Sequence, residues 1–313
     1  MTILSPTKES FETAVKTLQN GGIVAFATET VYGLGCDTFN KKAIDLVYKT
    51  KGRPIQNPMI SHIADVSWVC QLASGWDNRC NKLAEMFWPG PLTIVLQKKE
   101  AVPKSACGGR NTIAIRCPSH PVARQLLKRF NKPISAPSAN KSGYISPTTA
   151  QHVEDEFGKS ITILDGGKSE EGIESTVVSL VGNPTILRPG SITQEIIEKS
   201  IGPVSKHHQT TQSNSPGTSS QHYSPHTKTK LLSTAEIQKI NDTTCITIVI
   251  DGNPQQSQKN IQMPVSPKEY GAKIYGVLRE ADQNNASVIC VEQPPKTSSW
   301  DAIQDRLLRC TAT

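Results

Sequence analysis

Apolar and polar positions run along this chain in two rhythms. Short runs with strand character fall at residues 23–27, 59–63, 92–97, 112–116, 134–136, 161–164, 176–180 and 185–188. Between them, Ala43, Ile44, Val47 and Tyr48 share one helical face, and Val122, Leu126, Leu127 and Phe130 share another behind Pro121 at a first helical position. The last two strands follow each other with no helix between, which predicts a mixed sheet rather than a purely parallel one. Further on, a strand at 245–250, a helical face of Tyr270, Ile274, Val277 and Leu278, a strand at 286–291 and a face of Trp300, Ile303 and Leu307 predict a β-α-β-α layer. It is Rossmann-like in order but lacks GxGxxG. Residues 204–228 break both rhythms, with Val204 and Tyr223 the only apolar side chains among Ser, Thr, Asn, Gln and His. Such a segment cannot bury enough surface to fold alone. The expected fold is therefore α/β: a twisted mixed-sheet domain with flanking helices over 1–203, a linker or lid over 204–228, and a small Rossmann-like domain over 229–313.

At 313 residues the chain is long enough for two cores without disulfides or metals. Nowhere do 18 apolar residues run together, which excludes a membrane-spanning helix. The first ten residues lack a basic stretch followed by an apolar one, so the expected location is the cytoplasm. Eight cysteines are scattered without a CxxC pair and read as reduced, mostly buried thiols. The formal net charge is +7. Residues 1–203 hold 23 Lys and Arg against 18 Asp and Glu, so anion binding is expected chiefly there.

Four clusters could carry chemistry. The first is TETVYGLG at 28–35, directly after a strand, where hydroxyls, a carboxylate and two glycines let backbone approach a ligand or simply form a turn. The second is Lys51-Gly52-Arg53-Pro54 followed by Asn57-Pro58 and His62. Gly52 and Pro54 are expected to keep Lys51 and Arg53 off a helix so that both address one anion, although a solvated basic helix end has the same spelling. His62, taken singly, reads as a core histidine. In the third, strand alternation puts Thr112, Ala114 and Arg116 on one face; Arg116 is either salt-bridged structure or a carboxylate or phosphate clamp. The fourth is APSANKSG at 136–143, with Ser146-Pro147 reading as an N-cap and first helical residue whose free N–H groups suit phosphate.

In order and spelling these motifs resemble the YrdC/Sua5 family, the threonylcarbamoyl-AMP synthases, in its longer two-domain form. The likeness also includes FWPGPLT at 87–93, DGG at 165–167, ESTVV at 174–178, LRPG at 187–190, SPG and HYSP within 215–225, and YGAKIYGVLREAD at 270–282. The resemblance implies synthesis of L-threonylcarbamoyl-adenylate and pyrophosphate from L-threonine, bicarbonate and ATP with Mg²⁺, for N6-threonylcarbamoylation of tRNA adenosine. It implies Lys51 and Arg53 as the catalytic cations. Arg53, Asn57, Thr112, Ser138, Asn140, Ser146, Arg188 and Tyr223 would hold ATP, and Thr30, His62, Arg116, Ala136 and Thr176 would hold threonine. No protein side chain is expected to bind the metal. Implied partners are the downstream tRNA threonylcarbamoyl-transfer machinery and weak contact with tRNA. Ala27 stands where the family usually has proline, and Ser219 and Gln221 stand where basic residues are expected in the linker. Two other readings compete: a carbamoyl-AMP-forming carbamoyltransferase, whose hydrogenase-maturation relatives carry CxxC zinc motifs absent here, and an RNA-binding module, for which a dense Lys/Arg stripe is missing.

Overall fold

The computed structural model describes residues 2–206 and 223–311. The larger sheet is mixed. In spatial order its strands are Ile3–Leu4, Thr162–Leu164, Val24–Phe26, Gly33–Asp37, Ile134–Ala136, Ile60–His62, Thr112–Arg116, Leu92–Lys98, Thr176–Ser179, Thr185–Arg188 and Ser205–Lys206. Antiparallel pairs at Val24–Phe26 with Gly33–Asp37 and at Thr176–Ser179 with Thr185–Arg188 sit beside parallel ones such as Ile60–His62 with Thr112–Arg116. The sheet is mixed, as the two consecutive late strands predict, and those strands themselves pair antiparallel.

Helix Lys41–Lys51 buries Ala43, Ile44, Val47 and Tyr48 and ends on Gly52 in the left-handed region, the usual glycine stop. Helix Pro121–Phe130 starts behind His120, whose Nδ1 accepts from the Val122 N–H, and buries Val122, Leu126, Leu127 and Phe130. Both helical faces are the ones the sequence marked.

Gly33–Asp37, read as part of a turn, is an interior strand. Its glycines are there because two layers converge on it: a Cβ on Gly35 would stand 2.7 Å from both Ile134 Cγ2 and the Phe26 ring. Without side chains at alternate positions, the segment has no apolar alternation to read. Lys51 belongs to the helix as its last residue, contrary to expectation, because the break comes only at Gly52. Ser146-Pro147 does not open a helix either; helix Ala150–Phe157 begins after Thr149, whose hydroxyl accepts from the His152 N–H.

The second sheet is wholly parallel, in the order Thr229–Leu232, Val288–Glu292, Asn241–Val249, Gln256–Gln262, with helices Pro267–Asp282 and Asp301–Cys310 packed on it. The two strands absent from the β-α-β-α expectation are its edges, and Gln256–Gln262 buries none of its residues. A strand that buries neither face leaves no hydrophobic period.

All eight cysteines are free, seven of them buried and Cys70 exposed. No helix among the described residues is long and apolar enough to cross a membrane. Ser205–Lys206, placed by composition at the start of the linker, pairs in parallel with Thr185 and Ile186, and Lys206 bridges to Asp301 at 2.7 Å. Ser219 and Gln221 lie outside the described residues.

The small domain is tied to the large one by buried polar contacts. Arg279 reaches the Ile145 carbonyl and Glu156 (3.1 Å), and Tyr144 OH donates to Asp282 (2.8 Å). The two backbones meet at Gly172, with φ +68°, where a Cβ would lie 2.5 Å from Gly271 O and Ala272 Cα.

Candidate active site

A cleft opens where the strand ends of the large sheet meet the linker. Its wall brings together Thr28, Thr30, Arg53, His62, Arg116, Ala136, Ser138, Arg188 and Tyr223 from segments far apart in sequence, with Glu174 and Ser175 beside them.

At one end, Arg116 closes the Thr112–Arg116 strand. Its Nη1 donates to Thr30 Oγ1 (2.8 Å), its Nε to the Gly90 carbonyl (3.2 Å), and its Nη2 lies 2.8 Å from Glu29 Oε1. Arg116 is therefore both salt-bridged and exposed to the cleft. FWPGPLT contributes the Gly90 carbonyl. His62 sits alongside, its ring edge-on to Phe26 and its Nδ1 3.3 Å from the Ile134 carbonyl. Burial, helped by the Arg116 charge, pushes its pKa down to about 3, so the imidazole is neutral.

The other end is held by Arg53 and Arg188. Arg53 donates from Nη2 to the Pro58 carbonyl (3.0 Å) and from Nε to the Asn57 carbonyl (3.3 Å). Arg188 donates from Nε to the Ser175 carbonyl and from Nη2 to Ser175 Oγ, each at 3.1 Å. Burial lowers both arginine pKa values, yet guanidinium keeps its proton at neutral pH. Three guanidiniums from three segments face a lining that contains one carboxylate, so the cleft suits a ligand with several negative charges.

That carboxylate, Glu174, has no free oxygen. Oε1 accepts from Ser146 Oγ (2.6 Å), and Oε2 accepts from Arg306 Nε (2.9 Å) and Tyr275 OH (3.0 Å). Burial alone would raise its pKa, but the charges of Arg306 and Arg188 bring it down to about 2. Tyr223 is stacked on Tyr275 at 5.5 Å between ring centroids, with the Arg306 guanidinium 5.6 Å from its own ring. It holds φ +63°, a left-handed conformation costly for a tyrosine, which these contacts enforce.

Several residues expected at the ligand lie elsewhere. Lys51 is buried and turns its Nζ to the carbonyls of Ser138 (2.6 Å) and Asn140. It does not converge with Arg53 on one anion, because the helix carries its side chain under the 136–143 loop. Asn140 braces that loop from within, donating Nδ2 to the Lys141 and Tyr144 carbonyls. Ser146 is engaged by Glu174. Asn57 is absent from the lining and offers its carbonyl to Tyr48 and Arg53. Thr112 begins the strand that Arg116 ends, roughly 13 Å from Arg116, and is not part of the lining. Thr176 is replaced in the wall by Ser175, since its own hydroxyl exchanges hydrogen bonds with the Ile192 carbonyl and N–H.

Sequence reasoning missed Glu29, Glu174, Tyr275 and Arg306. Glu29 and Glu174 stand inside quoted motifs, but their partners are 87 and 132 positions away.

The buried His62 has a measurable consequence. Its native pKa lies below the unfolded value, so between pH 6.5 and about 3 the unfolded chain binds a proton that the native site refuses. Stability should fall as pH drops through that window, by at most about 1.4 kcal/mol per pH unit for this group. Urea unfolding at pH 7, 6 and 5 should show a shallower decline in His62→Gln than in the parent; parallel declines would remove His62 as the cause.

Comparison with known proteins agrees over both domains. Residues 16–190 match the Sua5/YciO/YrdC family model, described as telomere recombination, and residues 192–312 match the threonylcarbamoyl-AMP synthase C-terminal domain. The threonylcarbamoyl-AMP synthase of Pyrococcus abyssi is 34% identical, with 99% of this chain and 98% of that protein covered. That of Bacillus subtilis is 35% identical over 98% and 94%. The crystal structure of P. abyssi Sua5 complexed with L-threonine superposes with a TM-score of 0.90 at 32% identity, covering 99% of this chain and 96% of that one. With both family models matched end to end and full-length relatives at this identity, the chain belongs to the Sua5/YciO/YrdC family in its two-domain Sua5 form.

Proposed function

We propose that this protein is a nucleotidyltransferase that makes L-threonylcarbamoyl-adenylate and pyrophosphate from L-threonine, bicarbonate and ATP, for the N6-threonylcarbamoyladenosine of tRNA. The observation that carries this reading is the cleft itself. Arg116 with Thr30, His62 and Ala136 suits an amino-acid carboxylate, and Arg53, Arg188 and Ser138 in the same lining suit phosphates. The names of the full-length relatives and the L-threonine complex of P. abyssi Sua5 support it.

The chemistry needs no side-chain nucleophile. The neutral amine of threonine and bicarbonate give a carbamate and water. A carbamate oxygen then attacks the α-phosphorus of ATP, the P–O bond to the β-phosphate breaks, and pyrophosphate leaves with its electron pair. Arg53 and Arg188 offset the charge that accumulates on the phosphates, and Arg116 fixes the amino-acid carboxylate so that the carbamate meets phosphorus in line. Neutral His62 can pack against threonine without adding a fourth positive charge. Lys51 contributes by holding the Ser138 and Asn140 carbonyls, which shapes the loop over the nucleotide. Among the described residues no group of three His, Cys, Asp or Glu could hold a metal ion, and Glu174 is fully engaged. Mg²⁺ enters as part of the MgATP substrate. Tyr223 from the linker walls the cleft, and a site closed to water would suit a carbamate and a mixed anhydride that water destroys. The substrates and the tRNA-directed product suit the cytoplasm, where a transfer enzyme would consume the anhydride.

Incubation with threonine, bicarbonate, Mg²⁺ and ATP labelled in the α-phosphate should give a labelled adduct and pyrophosphate only when threonine and bicarbonate are both present. Equal turnover with carbamoyl phosphate in place of both would assign the chain to carbamoyl-AMP formation instead.

A further inference from the structure

Two residues of the run Thr28-Glu29-Thr30 grip Arg116, each in its own way. Thr28 and Thr30 line the cleft, whereas Glu29 between them contributes nothing to its wall. Thr30 takes a hydrogen bond from Nη1 of Arg116, and its own hydroxyl lies 2.9 Å from that of Thr28. Glu29 approaches the same guanidinium at Nη2, with both side chains no more than 5% exposed.

This ion pair is close and buried. Oε1 and Nη2 are 2.8 Å apart, and the Ser119 backbone also lies against the carboxylate. Burial pushes the Glu29 carboxyl up, but the Arg116 charge and these hydrogen bonds bring it below the ordinary carboxylate value, so the group is ionised. A buried ion pair is costly to form, and this one is placed on a single arm of an arginine that lines the cleft. Nε and Nη1 bond to Gly90 and Thr30, while Nη2 carries two N–H groups, of which Glu29 engages one and leaves the second for another acceptor.

We propose that Glu29 is a positioning residue for amino-acid recognition: its charge steers the Arg116 guanidinium so that Nη2 can pair with the carboxylate of bound threonine. In the empty cleft Glu29 is the counter-ion a buried arginine requires. When threonine binds, its carboxylate becomes the second anion on the fork, and the second N–H of Nη2 supplies the bond. The motif TET thus works as one unit, with Thr30 fixing one arm of the fork and Glu29 aiming the other. A glutamine has the same size and can bond to Nη2, but it would remove the charge that aims the guanidinium. This inference rests on Arg116 being the carboxylate clamp.

The test is initial-rate pyrophosphate release by the full-length enzyme, with the KM for threonine and for ATP measured separately in Glu29→Gln, Glu29→Asp and Arg116→Ala. Glu29→Gln should raise the threonine KM on the order of ten-fold or more and leave the ATP KM within about two-fold, since small misplacements of a positioning group carry large penalties. Glu29→Asp, which keeps the charge and loses one methylene of reach, should fall between the parent and Gln. A threonine KM in Glu29→Gln that is unchanged or lower overturns the proposal, as does a rise in both KM values together. Should Glu29→Gln not fold, the same two criteria apply to Glu29→Asp. Arg116→Ala separates the two levels of the argument. If it leaves the threonine KM unchanged, the clamp reading itself fails; if it raises that KM while Glu29→Gln does not, only the role of Glu29 fails.

Discussion

Arg306→Ala should destabilise the protein by about 3–5 kcal/mol and remove most of its synthetic activity, although Arg306 belongs to the last helix of the small domain. The reason lies in what its guanidinium holds. Nε donates to Glu174 (2.9 Å), Nη1 to Asp305 (2.8 Å), and the group lies over the Tyr223 ring. Removing it leaves an ionised Glu174 buried beside the cleft with only Ser146 and Tyr275 as donors, and withdraws one support from the strained Tyr223 backbone. Breaking one side of a buried pair costs far more than replacing both sides by neutral groups. The double variant Arg306→Met with Glu174→Gln should therefore recover part of the lost stability, as a double-mutant cycle in urea would show. Full additivity of the two single losses would mean that the contact carries no coupling.

Arg53→Ala should lower kcat/KM for ATP by roughly 30- to 1000-fold, the equivalent of about 2–4 kcal/mol of transition-state stabilisation. Its guanidinium lines the cleft and is oriented by the Asn57 and Pro58 carbonyls, so it meets the phosphates already placed. Lys51→Met provides the contrast. Lys51 touches carbonyls rather than the cleft, and its loss should appear first as a drop in unfolding free energy, with activity impaired through the displaced Ser138 loop. Near-normal turnover in Arg53→Ala, or a Lys51 variant of parental stability with the larger kinetic defect, would reverse these assignments.

The core of the fold was legible because its periods are strong. The strands at 112–116, 134–136 and 185–188 coincide with those in the structure, and Pro121 and Gly52 mark a helix start and a helix end. The sheet edges were not, because Ile3–Leu4, Ser205–Lys206 and Gln256–Gln262 are short, exposed or both, and such strands bury no face that would impose alternation. Of the site residues the motifs offered, Arg53, Arg116, Arg188 and Tyr223 stand in the cleft wall, whereas Lys51, Thr112 and Thr176 are absent from it. A motif states which residue types occur together; it does not say which way each side chain turns.

That division follows from the range of the forces involved. Propensity, capping and hydrophobic period act over a few residues, so the chain itself determined its α/β class, its linker composition, its reduced cysteines and the motifs by which it resembles its family. Direction and pairing are long-range. Glu174 meets Ser146, Tyr275 and Arg306 only after two domains close on each other, and Glu29 finds Arg116 only when strand Thr112–Arg116 is laid into the sheet. Burial and neighbouring charge then decide the ionisation: burial, joined by the Arg116 charge, keeps His62 neutral, whereas at Glu174 the Arg306 and Arg188 charges outweigh burial and hold the carboxylate ionised. Those states depend on distances that exist only in the folded chain, and tertiary structure alone sets them.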